Sequence, residues 1–427
     1  MKKNILCMVL ALMASLTACQ SAQMETPLSQ EEEKQPTAEQ EPTEEEQKVL
    51  RREEALTPLL QEAEHLALGY YYEEAIAVLD EIPTEYAQDQ EVEEARTRYQ
   101  EALSSFVPYE QPVRHIFFHS LIVDTSLAFD GDYMSNGYNY WMTTVEECKA
   151  ILEELYANQY ILIDIHELCE EQTKEDGTVT LAAASPLVPE GKIPLVLSVD
   201  DVSYYDYMET DGFAKRLLLD EDGEVKNLYI DQEGTEHVGD YDVMPIVDTF
   251  VKEHPDFSLR GAKGIIAATG YEGTLGYRVN DPASPTLEAD REAVKSVAAR
   301  LKETGWLFAS HGYGHKHTAS ISYQSLVSDT TRWKEEIASL VGETDIYVYP
   351  YGEEIEYPSQ KLTYLQSEGF RYFCGVWASQ PFVKVTDTYV RQTRCNLDGF
   401  TMITKPEAVQ DLLDASKVVD PTRPELE

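Results

Sequence analysis

Three short segments carry side chains that can hold a cation and move a proton: Ser198-Val199-Asp200-Asp201, Ser310-His311-Gly312-Tyr313-Gly314-His315 and Tyr349-Pro350-Tyr351-Gly352. Each stands where an apolar, strand-like run ends. Singly they mean little, because an Asp pair after a strand is usually a solvated turn and an isolated histidine usually a surface or satisfied core residue. Jointly they describe a metal site, since zinc takes imidazole nitrogen and carboxylate oxygen and, in catalytic sites, keeps one position open for water. Neighbouring residues of a strand point to opposite sides, so Asp200 and Asp201 are expected to diverge, one binding a cation while the other stays free. His311 and His315 are four residues apart, which on a helical turn puts both rings on one face. Gly312 and Gly314 argue against a regular helix, and a coiled loop can do the same job.

The elements that must position these residues alternate in type. Apolar runs occur at 116–123, 160–165, 193–199, 263–268, 306–309, 345–349 and 371–376, and amphipathic helical patterns at 145–158, 245–253, 288–304, 332–341 and 359–368. Such alternation builds a parallel sheet, here a closed or nearly closed β/α barrel, and sites then belong at the carboxyl ends of its strands. Residues 214–238 interrupt the rhythm. Asp222-Gly223 and Glu233-Gly234 fall between short alternating runs and predict β-hairpins inserted after the Asp-Asp strand, as one wall of a cleft.

The 427 residues allow one large domain plus a smaller one, and 43% hydrophobic content supports a core. With 34 basic against 78 acidic residues the formal charge is -44. Phosphate backbones would be repelled, so nucleic acid is excluded as a partner, whereas a neutral or amino-bearing polymer is compatible.

At the N-terminus, Lys2 and Lys3 precede an apolar run at 5–16, too short to span a bilayer but right for a secretory signal. Its end, Leu16-Thr17-Ala18-Cys19, resembles the bacterial lipobox. This implies removal of residues 1–18, acylation of Cys19 and an extracytoplasmic protein whose contact with the bacterial cell membrane is its lipid anchor. Residues 19–48, rich in Glu, Gln, Pro and Thr, read as a disordered tether, and 49–107 as two or three antiparallel helices. Within the latter, 63–79 looks like a single degenerate tetratricopeptide unit, either a spacer and docking hairpin for a protein partner or a segment packed on the main domain. Cys148, Cys169, Cys374 and Cys395 lack the close spacing of a metal or redox motif, so they are buried thiols or disulfides.

Over 113–415 the chain resembles the polysaccharide deacetylases of carbohydrate esterase family four, the NodB-homology group. Ser198 to Asp201 match the family's Thr-Phe-Asp-Asp, and Ser310 to His315 its Ser-His-(Ser/Thr)-x-x-His. Residues 348 to 352 match Arg-x-Pro-(Tyr/Phe)-Gly except that Val348 replaces the arginine, a departure that resembles the poly-N-acetylglucosamine deacetylase branch and leaves nothing evident to orient Asp200. The resemblance implies a distorted (β/α) barrel, Asp201, His311 and His315 as ligands of zinc or another divalent metal, Asp200 as general base, and the backbone N–H of Tyr351 as oxyanion donor. The family's usual C-terminal acid histidine has no match, because no histidine follows His317. Some exopolysaccharide deacetylases resemble a circular permutation in which the first strand carries that residue. Phe117-Phe118-His119-Ser120 fits, which makes His119 the candidate acid, with a hydrogen-bonded core histidine as its other reading; His317 is a further candidate acid or a solvated loop residue. His115, about 13 Å along a strand from His119, is structural. Trp377, the remnant of the family's fourth motif, is expected to pack in the core. The tyrosines after the acid pair (Tyr204, Tyr205, Tyr207) suit sugar faces.

The function so implied is metal-dependent N-deacetylation of an N-acetylhexosamine-containing wall or matrix polysaccharide. The alternatives are O-deacetylation of an acetylated glycan by the same groups and glycan binding without catalysis on the same fold.

Overall fold

The computed structural model describes residues 42–377 and 380–426. The expected signal peptide, Cys19 and all but the end of the tether lie outside the described residues. Among those described, no helix is long and apolar enough to cross a membrane.

Seven parallel strands form the centre: β1 Arg114–Phe118, β2 Ile193–Asp201, β3 Gly264–Ala268, β4 Trp306–Ser310, β5 Ile346–Val348, β6 Tyr372–Val376 and β7 Val390–Asn396. They pair in chain order, and β1 bonds β7 on one edge and β2 on the other, so the ring closes. Parallel neighbours need crossovers, supplied by helices Val145–Ala157, Val243–Glu253, Leu287–Glu303, Tyr323–Trp333 and Gln360–Ser367. The fourth begins at Tyr323 rather than at 332 because Ser322 caps it, its side chain accepting from Ser325 N–H at 3.1 Å.

Side-chain alternation along the strands divides the core in two. Leu195, Leu197 and Val199 of β2, with Ile266 and Ala268 of β3, share one buried cluster with the crossover helices. Val196, Ile265, Ala267, Val348, Cys374 and Val390 share another, inside the barrel. Towards the carboxyl ends the interior turns polar, with His115, Ser198, Asp200, Gln392 and Arg394 all buried. Such a lining is stable only if its members satisfy one another.

Three helices precede the barrel: Glu44–Leu68, Tyr72–Asp80 and Gln90–Ser104. The first starts inside the stretch expected to be a tether. Thr43 and Glu46 form a reciprocal cap, Thr43 N–H donating to the Glu46 carboxylate at 2.7 Å and Glu46 N–H to Thr43 Oγ1 at 3.3 Å. Leu56, Ala63, Ala75, Leu79, Val92, Ala95 and Tyr99 give these helices a small core of their own. Of the two readings of 63–79, packing on the main domain is what is seen: Tyr70 Oη donates to Asp256 O at 2.9 Å and Arg260 N–H to Gly69 O at 3.0 Å. Both contacts precede β3, at the end of the barrel opposite the strands' carboxyl ends.

The inserted segment is a three-stranded antiparallel sheet, Arg216–Leu219, Val225–Ile230 and Glu236–Gly239, turning at Gly223 and Gly234 with φ +76° and +78°. Leu217 and Val225 are buried with Val243, Val247 and Val294. The sheet meets the loop after β2, where Asn227 Nδ2 donates to Tyr204 Oη at 3.1 Å. All four described cysteines are buried with free thiols.

Candidate active site

β2 ends in unusual backbone. Asp201, Val202 and Tyr204 have φ of +66°, +48° and +48°, a left-handed region that costs an L-residue roughly 1–2 kcal/mol each. Arg278 holds them there, donating to Ser203 O at 2.9 Å, to Glu272 O at 3.0 Å and to Tyr204 O. The turn also abolishes strand alternation, so the two carboxylates converge where the strand pattern predicted divergence. His311 Nε2 lies 3.8 Å from Asp200 Oδ2 and 3.9 Å from Asp201 Oδ1.

His311 leaves β4 into an irregular loop, not a helix. Gly312 takes φ +67° there, and buried Asp329, on helix Tyr323–Trp333, accepts from Tyr313 N–H at 2.8 Å and Gly314 N–H at 3.1 Å. These bonds fold the loop back until the His311 and His315 rings are 4.9 Å apart. His311 Nδ1 lies 2.9 Å from Val348 O; since a carbonyl only accepts, Nδ1 carries the proton and the Nε2 lone pair faces the acids. Burial pushes this imidazole down to about 4, so it is neutral and able to ligate. His315 Nε2 is 3.6 Å from Asp201 Oδ1.

Asp201, His311 and His315 each offer a ligand atom within 4.8 Å of the others. Asp201 Oδ1 is buried without a hydrogen-bond partner, an arrangement that costs about 1–3 kcal/mol unless something positive sits beside it. A divalent transition metal fits that requirement and this donor set.

Asp200 has a partner the sequence did not reveal. Arg394, on β7, grips it with two parallel bonds, Nη1 to Oδ1 at 2.6 Å and Nη2 to Oδ2 at 2.9 Å. Burial alone would raise the Asp200 pKa, but the guanidinium overrides it and holds the carboxyl well below the usual range. Arg394 is itself fixed: Nη1 also donates to Ser198 Oγ at 3.1 Å, and its guanidinium carbon lies 4.2 Å from the Phe117 ring centre. Ser198 Oγ in turn bonds His115 Nε2 at 2.9 Å, and His115 Nδ1 bonds Gln392 Oε1 at 3.0 Å. His115, pushed down to about 3 by burial, is therefore a neutral link in a buried chain. The arginine missing from position 348 has been replaced from two strands away.

β7 escaped sequence reading because Val390-Arg391-Gln392-Thr393-Arg394-Cys395-Asn396 contains no apolar run. Its inward residues line the polar top of the barrel. The available signal was period-two spacing of Val390, Gln392 and Arg394.

His119 directly follows β1. Its Nδ1 is buried without a hydrogen-bond partner, and it lies close enough to Asp200 and Asp398 to favour their ionised forms, although burial leaves the Asp398 pKa raised. His317 is half-exposed, with Nδ1 3.0 Å from Glu353 and its ring 3.9 Å from that of Tyr351, nearly parallel at 8°. Tyr351 has φ +59° and an exposed side chain whose ring also meets His315 at 4.4 Å. Of the tyrosines after the acid pair, Tyr204 and Tyr205 are buried and Tyr207 is exposed. Trp377 is 56% exposed, not in the core, because β6 ends at Val376 and releases it at the barrel mouth.

No curated protein matches the chain. Among solved structures, the Streptococcus pyogenes deacetylase PplD, in complex with acetate, aligns with 12% identity over 72% of this chain and 99% of its own, at a TM-score of 0.38. A Bacillus anthracis protein assigned to the polysaccharide deacetylases aligns with 11% identity over 72% of this chain and 69% of its own, at 0.40. Likenesses this remote assign no residue. The polysaccharide deacetylase family model matches residues 275–373, a stretch holding His311, His315 and Tyr351. That match covers 99 of the 427 residues and lies on the barrel described above, so this stretch is similar to the polysaccharide deacetylases, which are enzymes.

Proposed function

We propose that the enzyme is a metal-dependent N-deacetylase of an N-acetylhexosamine-containing wall or matrix polysaccharide, with zinc or another divalent transition metal held by Asp201, His311 and His315. The observation that carries this reading is the unpartnered Asp201 oxygen facing two histidines, with Asp200 held ionised alongside. When bound, such a cation polarises the acetyl carbonyl and lowers the pKa of water at the site. Asp200 takes the proton of the attacking water, and the Arg394 fork keeps its carboxylate aimed. The Tyr351 backbone N–H donates to the developing oxyanion, and His119 gives a proton to the departing nitrogen.

The position of β1 supports the permuted reading. First in the chain, it closes the ring between β7 and β2, so His119 approaches Asp200 from the N-terminal end of the domain. Acetate release should be measured on N-acetylglucosamine oligomers, peptidoglycan and acetylxylan, with metal content determined in parallel. Release from acetylxylan alone would replace the amide reading with the ester one.

His119→Ala should keep its metal and lose turnover on amides by about 10²- to 10⁴-fold, the range for a general acid. The loss on activated acetate esters should be smaller, since a phenolate-like group leaves without a proton. His317→Ala should show no amide-selective defect; if it does, the acid has been assigned to the wrong histidine.

The same proposal includes an extracytoplasmic location and a lipid on Cys19. Cys19→Ala should move the protein out of the membrane fraction or block its processing, which fractionation and immunoblotting would read. Unchanged membrane association would point to another anchor.

A further inference from the structure

Helix Val243–Glu253 opens on a buried carboxylate that has no ion-pair partner among the described residues. Asp242 is its N-cap, 1% exposed, and one oxygen, Oδ1, accepts from Val243 N–H at 2.8 Å and from Leu121 N–H at 3.2 Å. The other oxygen, Oδ2, is buried without a hydrogen-bond partner. Three further elements meet this carboxylate: the stretch after β1 brings the Ser120 hydroxyl, the turn after β2 the Tyr204 hydroxyl, and helix Val145–Ala157 the Cys148 thiol. None of them is a cation. Burial and the Asp242 charge push the pKa values of Tyr204 and Cys148 up, so both stay protonated. Burial also pushes Asp242 up to about 6, against the hydroxyls and N–H groups beside it, which favour its ionised form.

Capping does not account for this residue, because serine, threonine or asparagine caps a helix about as well without burying a charge. An ionised carboxylate differs from those side chains in offering acceptors only, on two oxygens. Its neighbours are donors, and they come from two places that the chemistry needs held together. Leu121 stands two residues after His119. Tyr204 belongs to the left-handed turn that delivers Asp201, and its Oη accepts from Asn227 Nδ2 at 3.1 Å, which leaves its own O–H free to donate.

We propose that Asp242 is a positioning residue for the reaction, its carboxylate tying the turn that carries Asp201, through Tyr204, to the strand end that carries His119, through Leu121. This rests on the deacetylase reading above and adds to it a residue that touches neither substrate nor metal. The tie needs the ionised form, and burial makes that form costly. Because the native pKa of Asp242 lies above the ordinary carboxylate value of about 3.9, its charge penalises the native state at neutral pH, and the penalty is relieved as pH falls through about 6.

The test compares full-length, metal-loaded wild type with Asp242→Asn, which keeps an oxygen for the two N–H groups but sets an amide N–H against the hydroxyls. At neutral pH the variant should melt at or above the wild-type temperature, an advantage that disappears on acidification to about pH 4, where the wild-type carboxyl is protonated. Its kcat for acetate release should nevertheless fall about tenfold or more, with KM and metal content unchanged, since misplacement caused from outside the site is expensive. Tyr204→Phe should lower kcat to a similar degree, and the double variant no further, because both substitutions remove the same tie. A residue that only caps its helix would show the reverse. A lower melting temperature for Asp242→Asn at neutral pH, a wild-type kcat, or losses that multiply in the double variant would each overturn the proposal, and acetate release by the wild type would leave the deacetylase reading intact. Absence of acetate release by the wild type from every substrate named above overturns the two together.

Discussion

Replacing Arg394 by methionine should damage both the chemistry and the fold. The guanidinium is fully buried, and its two bonds to Asp200 are what make an ionised carboxylate tolerable at that depth. Removing one member of a buried pair typically costs about 3–5 kcal/mol, because the other charge is left desolvated and alone. Turnover should fall by about 10²-fold or more, as Asp200 loses both its aim and its ionised state. Arg394→Lys keeps a charge but not the planar fork, and should recover only part of either loss.

The pH dependence of that deficit follows from the sign of the shift. In the wild type the Asp200 pKa is lowered by Arg394, so its contribution to stability is present above the ordinary carboxylate pKa and is lost as pH falls through the native value. Without the guanidinium, burial is opposed only by the nearby His311 and His119, and the native pKa is expected to rise above the unfolded one. The variant is then penalised most at neutral pH and recovers on acidification, when Asp200 takes up a proton. Thermal denaturation of both proteins between neutral and mildly acid pH would measure this; a deficit that grows on acidification would mean that Asp200 is not the charge Arg394 neutralises.

The second large effect is on metal. His311→Ala with His315→Ala should yield a folded protein that binds no stoichiometric divalent metal and releases no acetate, since two of three protein ligands are gone. Elemental analysis of purified protein reads this directly. Single asparagine substitutions at the acid pair should then separate the two roles. Asp201→Asn weakens metal binding, whereas Asp200→Asn keeps the metal and loses turnover because an amide cannot accept the water's proton. Metal at full occupancy in the double histidine variant would rule out this ligand set.

The arginine also removes the main support for a non-catalytic glycan-binding protein. Val348 in place of the family's arginine left nothing evident to orient Asp200, but in the fold its side chain is core and its carbonyl orients His311. The function expected of position 348 is performed by a residue 46 positions later in the chain.

Sequence by itself determined what local pattern and residue chemistry can encode. Apolar runs spaced by amphipathic helices required a parallel, strand-and-crossover architecture, and residue types at strand ends marked the acid pair with His311 and His315 as a candidate metal site, the family resemblance choosing Asp201 over Asp200. Gly223 and Gly234 marked both hairpin turns for the same local reason: each takes positive φ. Tertiary structure alone decided the rest, because closing a ring brings together residues with no sequence relation. It set Arg394 against Asp200 across 194 positions and placed Asp329 under the histidine loop. It turned the end of β2 left-handed, so that adjacent carboxylates converge, and it carried Trp377 out of the core to the barrel mouth. Periodicity reports which face of an element is buried, but which polar residue neutralises a buried charge depends on which strands the barrel makes neighbours.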